Sequence, residues 1–546
     1  MITTFHIHLK GRVQGVGFRP FVLRLATALG LKGWVNNGVN GLHIRFQADA
    51  ATAQGLLEQI LKEAPRLAIV IHHTLSICPP EVFPDFRIVD SELTGQPDLL
   101  VTPDFGLCPD CRQEIHDAAD RRFGYAFTTC TLCGPRYSIT SGLPYDRQRT
   151  SMQGFQQCPD CKAEFAAAEN RRFFSQTNSC PNCGIQLQWW DASGKLLSSN
   201  QTDCLDQCVR TLQAGQIAAV KGIGGYLLLC DAANAPAIAL LRKRKVRPNK
   251  PFALLYPNLG ILREDATVSE QAAKWLLSPE APIVLLPARE NGPLHIAMEA
   301  IAPGLQQIGA MLPYAPLLEL LAAQFGRPLV ATSGNVSGSP IVYEDQTAVA
   351  RLGFIADRVL SHNRPILAPQ DDSVLRLAGE MPVWIRRSRG IAPSLLVPGW
   401  QPPEMPIFCA GADMKSAFCL NTGGQTYHSQ YLGNLDHFDT QQQYLRLVRY
   451  FENIFQEQPA LVVADAHPGY VATNIAGQLA AEWKAPLTHI QHHEAHFAAV
   501  LAENQLLASD GILGISGMAP AMATTGKSGA ASFSAGIIIP YIPADK

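Results

Sequence analysis

Along the first 90 residues the apolar positions switch between two periods. Phe5, Ile7 and Leu9 alternate with polar neighbours, Phe18, Phe21, Val22, Leu25 and Leu29 recur at helical spacing, and Leu42, Ile44 and Phe46 alternate again. A period of two sends side chains to opposite faces of a strand, and a period near 3.6 gathers them on one stripe of a helix. The pattern therefore predicts strand, helix, strand, strand, helix, strand. From about 200 to 390 strands and helices alternate. The apolar run Ile217 to Val220 enters the turn Lys221-Gly222-Ile223-Gly224-Gly225, and Pro328-Leu329-Val330-Ala331 enters Thr332-Ser333-Gly334-Asn335-Val336-Ser337-Gly338. Beyond the Pro-rich stretch from Pro393 to Pro406, strands are predicted around Phe408 to Ala410 and Ala417 to Leu420. A helix ending near Phe455 and the strand Leu461-Val462-Val463-Ala464 follow. The fold class is thus α/β and α+β, in several domains.

Between these patterned segments the chain repeats a cysteine module. Cys108-Pro-Asp-Cys111 and Cys130-Thr-Leu-Cys133 are followed by Cys158-Pro-Asp-Cys161 and Cys180-Pro-Asn-Cys183, with 18 residues between knuckles and each cysteine recurring 50 positions later. Arg121-Arg122-Phe123 returns as Arg171-Arg172-Phe173, and both units end Cys-Gly, at Gly134 and Gly184. This spacing fits two four-cysteine zinc ribbons and not a disulfide framework. Sequential and interleaved pairing of the knuckles use the same cysteines. Closed four-thiolate sites leave no open coordination position, so both zincs are expected to be structural. Arg121, Arg122, Arg171 and Arg172 read as solvated faces in preference to partner or nucleotide contacts. Cys204 and Cys208 read as small buried residues.

Composition narrows the class. With 546 residues, 47% hydrophobic and 16% charged, the chain has material for several cores. It contains no run of 18 apolar residues and its first residues have no basic segment leading into an apolar one, so no membrane span and a cytoplasmic location are expected. A formal charge of -2 argues against a broad nucleic-acid footprint.

The first segment, residues 1–90, is expected to be a ferredoxin-like sandwich. Its first connection, Gly11-Arg12-Val13-Gln14-Gly15-Val16-Gly17-Phe18-Arg19, is a glycine-rich turn into a helix N-terminus, a place where backbone N–H groups suit phosphate. This string resembles the acylphosphatase signature, and Gly33-Trp34-Val35-Asn36-Asn37-Gly38 resembles that family's second motif. The resemblance implies that Arg19 binds the acyl phosphate through a two-pronged guanidinium and that Asn37 orients the attacking water. A solvated arginine and a turn asparagine are the plainer alternatives. Residues 200–390 carry the basic stretch Arg242 to Lys250, by itself an exposed helix end. Together with the Ser-x-Asn turn it is similar to the YrdC family, which makes carbamoyl-type adenylates from ATP. That likeness implies that Lys245 and Arg247 lie opposite Ser333 and Asn335 around the nucleotide phosphates, with Mg accompanying ATP. His362, Asp371, Asp372, Arg386, Arg387 and Arg389 are further candidates that structural roles explain equally well.

In residues 405–515, His492-His493-Glu494-Ala495-His496 places His492 and His496 on one helical face, where they can chelate a metal. This resembles the His-x-x-x-His motif of the threonylcarbamoyltransferases, a branch of the actin-like ATPase fold, and implies a further Zn or Fe there. The four parts in this order, 1–90, 100–185 for the zinc repeats, 200–390 and 405–515, resemble the carbamoyltransferases of nickel-iron hydrogenase maturation. That family hydrolyses carbamoyl phosphate, adenylates the carbamate with ATP and transfers the carbamoyl group to the C-terminal cysteine of a partner, HypE, toward the cyanide ligands of the metal centre. Residues 516–546 depart from it. They lack core-forming periodicity, and a shifted reading frame starting in the codon of Ser516 can yield a phosphate-loop-like string, so this tail is expected to be out of frame, the actin-like domain incomplete and the transfer step lost. Two rival readings are a threonylcarbamoyl-adenylate synthase, against which the acylphosphatase-like motif speaks, and a non-catalytic zinc-ribbon scaffold.

Overall fold

The computed structural model describes residues 3–289, 295–395 and 402–506; the tail reading at 516–546 and the end of the 405–515 segment lie outside them. The described residues form two compact units, one drawn from 1–394 with 429–456 and the other from 395–428 with 457–506.

In the first unit, β1 (Thr3–Arg12), α1 (Phe18–Ala28), β2 (Lys32–Gly38), β3 (Gly41–Ala48), α2 (Ala50–Glu63), β4 (Ile69–Ile77) and the short β5 (Phe86–Ile88) form a sheet of order β4-β1-β3-β2-β5. The period-2 residues do what the alternation requires. Ile7 pairs with Ile44 and Leu9 with Leu42 across β1 and β3, and all four are fully buried beneath the helices with Phe18 and Val22. The β1–α1 turn needs glycine, because Gly15 (φ 69) and Gly17 (φ 80) adopt the left-handed region that side chains disfavour.

Residues 200–390 are built on an eleven-stranded mixed sheet. Its central strands, Ala218–Lys221 and Tyr226–Asp231, are buried on both faces, which is why they read as continuous apolar runs. Ala218, Val220, Leu227 and Leu229 face one core, while Ala219, Leu228 and Cys230 face the other. The sheet also takes in the edge hairpin Leu187–Asp191 and Leu196–Ser198, which continues from the second cysteine module. Tyr125, Phe127 and Ile139 from the first module share a core with Leu205 and Leu227, and Cys204 and Cys208 are buried there as well. The cysteine repeats are therefore packed onto this sheet. The helix Phe438–Phe455, predicted as part of the last segment, belongs to the first unit, where Tyr450 donates from its hydroxyl to the carbonyls of Tyr137 (3.2 Å) and Thr140 (2.7 Å).

The second unit holds a sheet of Gln425–His428, Cys419–Thr422, Ile407–Cys409, Leu461–Asp465 and Leu487–Ile490 in that order, with helices Val471–Trp483 and His492–Glu503. Ile407–Cys409, Leu461–Asp465 and Leu487–Ile490 run parallel. No helix among the described residues is long and apolar enough to cross a membrane.

Candidate active sites and metal centres

The cysteine knuckles pair sequentially. Cys108 Sγ lies 3.7 Å from Cys130 Sγ, and Cys130 Sγ lies 3.8 Å from Cys133 Sγ. In the second module Cys158–Cys180 is 3.7 Å, Cys180–Cys183 3.8 Å and Cys183–Cys161 3.7 Å. Each quartet, Cys108, Cys111, Cys130, Cys133 and Cys158, Cys161, Cys180, Cys183, keeps its sulfurs within 4.8 Å of one another. A tetrahedron with Zn–S bonds of about 2.3 Å has edges of about 3.8 Å, so the donor set and its dimensions fit zinc. A disulfide would bring sulfurs to about 2.05 Å. Cys108 and Cys158 are N-caps followed by proline at the first helical position, so each stands at a helix N-terminus, where the dipole favours a thiolate.

The arginines of the repeat are not solvated faces. Arg122 and Arg172 are 1% and 3% exposed. Arg171 donates to Cys111 Sγ (3.3 Å), Cys108 Sγ (3.4 Å) and Glu114, and Arg172 to Glu114 and the Thr129 carbonyl (3.0 Å). Reciprocally, Arg121 donates to Cys161 Sγ (2.9 Å) and Glu164 (3.1 Å), and Arg122 to Glu164 and the Ser179 carbonyl (3.0 Å). Each module thus places its arginines on the other module's cysteine site. The reason is electrostatic: four thiolates around a divalent ion leave a net charge of about −2, which a buried guanidinium offsets. Burial pushes the Glu164 carboxyl up, but Arg122 and Arg121 outweigh it and hold it at about 2.

In the sandwich, Arg19 sits one residue inside α1 and is 8% exposed. Its Nη2 donates to Asp146 Oδ1 (2.8 Å) and its Nη1 to Ser91 Oγ (3.4 Å), and Ser91 Oγ also donates to Asp146. Asn37 is satisfied only with its Oδ1 toward the guanidinium, where it accepts from Nη2 at 3.1 Å and Nε at 3.2 Å. The structure therefore brings Arg19 and Asn37 together. A narrow cavity of about 30 Å³ opens beside them, walled by the β1–α1 turn and by Thr131, Arg136, Tyr145 and Phe174 from the cysteine-module region. Arg136 ties the two regions. It donates from Nε to the Gly15 carbonyl (2.7 Å) and from its two Nη groups to the carbonyls of Cys133 and Cys130 (each 3.0 Å). Ser91, between the sandwich and the cysteine modules, lies against the site.

On the large sheet, Lys245 ends the helix Ala235–Lys245, and Val246 (φ 56) reverses the chain behind it. The buried Lys245 Nζ donates to the carbonyls of Ser333 (2.6 Å) and Asn335 (2.7 Å) and to Asn335 Oδ1, which also accepts from Ser333 Oγ at 2.8 Å. Gly334 permits this turn because a Cβ there would lie 2.7 Å from the Tyr226 backbone. Burial, then the Arg247 charge, lowers the Lys245 ammonium to about 7. Arg247 does not join that cluster by hydrogen bond; it donates to the carbonyls of Lys250 (3.2 Å) and Pro251 (2.5 Å) and lies over the Phe252 ring. Burial, then Arg386, lowers it to about 10. Arg386 lies over Tyr431, a ring from the 429–456 segment that local pattern did not single out. Arg389 is anchored within the fold. It is 1% exposed, bonded to Asp372 (2.8 Å) and stacked 3.5 Å from the Tyr314 ring centroid.

In the second unit, His492 Nδ1 donates to Asp465 Oδ2 (2.7 Å), which leaves its Nε2 lone pair 3.1 Å from His496 Nε2. Two imidazole nitrogens at that separation fit one ion at about 2.0–2.1 Å from each. The cysteine quartets are the only groups of three or more mutually close candidate ligands among the described residues, so this pair offers two protein donors.

Comparison with known proteins follows the same division. Residues 5–88 match the acylphosphatase family, 107–140 and 158–190 the family described as HypF finger, 210–388 the Sua5–YciO–YrdC family described as telomere recombination, and 402–503 the HypF Kae1-like domain. The chain is 42% identical over 516 residues to carbamoyltransferase HypF of Synechocystis sp., covering 94% of this chain and 66% of the relative. It is 43% identical to carbamoyltransferase HypF of Rhodobacter capsulatus, covering 92% and 66%. A crystal structure of full-length HypF in the phosphate- and nucleotide-bound form superposes with a TM-score of 0.87 at 35% identity, over 94% of this chain and 66% of that one. The chain thus spans just under two thirds of the length of these relatives.

Proposed function

Because this chain belongs to the HypF carbamoyltransferase family, we propose that it hydrolyses carbamoyl phosphate at Arg19 and Asn37 and adenylates the resulting carbamate with ATP at Lys245, Arg247, Ser333 and Asn335. The observation that carries this reading is the meeting of Lys245 with Ser333 and Asn335, which lie 88 and 90 residues away in sequence, within the same unit as Arg19 and Asn37.

In the first site Arg19 neutralises the phosphoryl oxygens and the N–H groups of the Gly15–Gly17 turn face the same anion, while Asn37 orients water. The products are carbamate and inorganic phosphate. In the second site a carbamate oxygen attacks the α-phosphorus of ATP, carbamoyl-adenylate forms and pyrophosphate leaves. Lys245 and Arg247 offset the charge that collects on the leaving group, Ser333 and Asn335 fix the orientation, and Mg accompanies the triphosphate. Fusion of the two sites suits an intermediate that decomposes readily in water. Transfer of the carbamoyl group to the C-terminal cysteine of HypE is the step proposed for the whole protein, of which this chain spans 66% of the length of its relatives. His492 and His496 would hold the metal that serves it. The zinc quartets supply no open ligand position and act structurally. A threonylcarbamoyl-adenylate synthase is not favoured, since that reaction has no use for an acylphosphatase domain, which this chain carries at 5–88.

Incubation with carbamoyl phosphate and ATP is expected to release phosphate and then pyrophosphate, with threonine and bicarbonate unable to replace carbamoyl phosphate. Pyrophosphate release that depends on threonine would sink this reading.

A further inference from the structure

Four of the five N–H groups of Arg19 are already engaged: Nε and Nη2 with Asn37, the other Nη2 hydrogen with Asp146, and one Nη1 hydrogen with Ser91. Both two-pronged edges of the guanidinium are therefore occupied, one by an amide and one by a carboxylate with a serine. A tetrahedral oxyanion can take a two-pronged hold only by replacing one of them. Asn37 is 1% exposed, neutral, and held in β2, where its carbonyl accepts from Glu92 N at 2.8 Å. The Asp146 side chain is 27% exposed and carries the charge that a phosphate repels.

We propose that Asp146 is the resident counter-anion of Arg19: it yields to the incoming acyl phosphate and returns to displace inorganic phosphate, so it sets how weakly the site holds its product. The backbone around it is suited to a side-chain swing. Tyr145 N donates to Gln14 Oε1 (2.9 Å), Arg147 N donates to Gln176 Oε1 (2.8 Å), and the Arg147 guanidinium donates to the carbonyls of Gln176 (2.7 Å), Asn178 (3.0 Å) and Phe155 (2.6 Å). Both neighbours are thus tied down and only the carboxylate has to move. Asp146 comes from the segment between the two cysteine quartets, so the sandwich receives this anion from outside its own fold. Asp146 acts through Arg19 and is a positioning residue. A merely structural role makes the opposite prediction, because removing a residue that only orients Arg19 weakens anion binding.

The inference rests on the acyl-phosphate reading above, and the experiment separates the two. On the full zinc-loaded chain, kcat and KM for carbamoyl phosphate and the inhibition constant of inorganic phosphate are measured for the wild type, Asp146→Asn, Asp146→Glu and Arg19→Ala. Asp146→Asn is expected to lower the phosphate inhibition constant by about tenfold or more, the scale of one removed charge contact partly screened by solvent. KM falls with it, kcat falls as phosphate release slows, and Asp146→Glu restores wild-type values. Ser91→Ala, which loosens the carboxylate without removing it, is expected to shift the inhibition constant the same way by less, and it decides the matter if Asp146→Asn does not keep two zincs. Arg19-dependent hydrolysis with an unchanged or raised phosphate inhibition constant in these variants overturns the inference alone. Hydrolysis that is absent, or indifferent to Arg19→Ala, overturns the acyl-phosphate reading beneath it.

Discussion

Arg19 and Lys245 are both buried cations whose N–H groups are turned onto protein oxygens. The Lys245 ammonium, lowered to about 7 by burial and Arg247, loses its charge as pH rises through that value. Triphosphate stabilises the charged form, so ATP binding takes up a proton above pH 7 and its affinity falls as pH rises. The apparent KM for ATP is expected to increase between pH 6 and 9, and Lys245→Arg is expected to flatten that profile; both are read from pyrophosphate release. Arg19→Ala is expected to lower carbamoyl-phosphate turnover by about a hundredfold or more, as loss of a charge-stabilising donor usually does. For His492 the second partner matters. Asp465→Ala frees the tautomer and is expected to weaken divalent-ion binding at His492 and His496 by roughly ten- to a hundredfold, measured by calorimetric titration with the cysteine quartets already loaded. The candidates that were legible in the sequence, Arg19, Asn37, Lys245, Ser333 and Asn335, lie in short strings whose glycines and charges are meaningful locally. Asp146, Ser91 and Asp465 carry no such context. Their roles come from partners 127, 72 and 27 residues away.

The cysteine modules show what a repeat does and does not reveal at the scale of elements. Spacing alone identified eight ligands, and the interval of 50 residues that relates Arg121-Arg122 to Arg171-Arg172 also relates Glu114 to Glu164. Nothing in that interval says that each arginine pair crosses to the other module. That exchange follows from the negative charge of a four-thiolate site and the burial of Arg122 and Arg172. It makes the modules interdependent. Arg172→Ala leaves Glu114 without its buried partner and is expected to destabilise the fold by about 3 kcal/mol. In this variant a thiol reagent is expected to release zinc from both quartets faster than in the wild type. Faster release from one quartet alone would show that the modules are independent.

In the first unit the cysteine region touches the Arg19 site and packs into the core of the sheet that carries the Lys245 site. Arg136 joins Cys130 and Cys133 to the Gly15 carbonyl of the β1–α1 turn, and Tyr125, Phe127 and Ile139 pack into the core of the large sheet. Stripping zinc from the full chain is therefore expected to abolish carbamoyl-phosphate hydrolysis along with adenylation, assayed as phosphate and pyrophosphate release before and after chelation. Survival of hydrolysis at the wild-type rate would show that the turn holds its shape without the modules. The sequence by itself determined the order of parts, the βαββαβ sandwich, the alternation of strands and helices in residues 200–390 and the zinc ligands, because hydrophobic period, glycine turns and ligand spacing are local properties of the chain. Only the tertiary structure decided that the helix Phe438–Phe455 joins the first unit, that the knuckles pair sequentially, that the repeat's arginines are exchanged between modules with Arg122 and Arg172 buried, and that Asp146 rests on Arg19. Those outcomes depend on which distant charges and apolar faces meet, and burial alone sets the strength of such meetings.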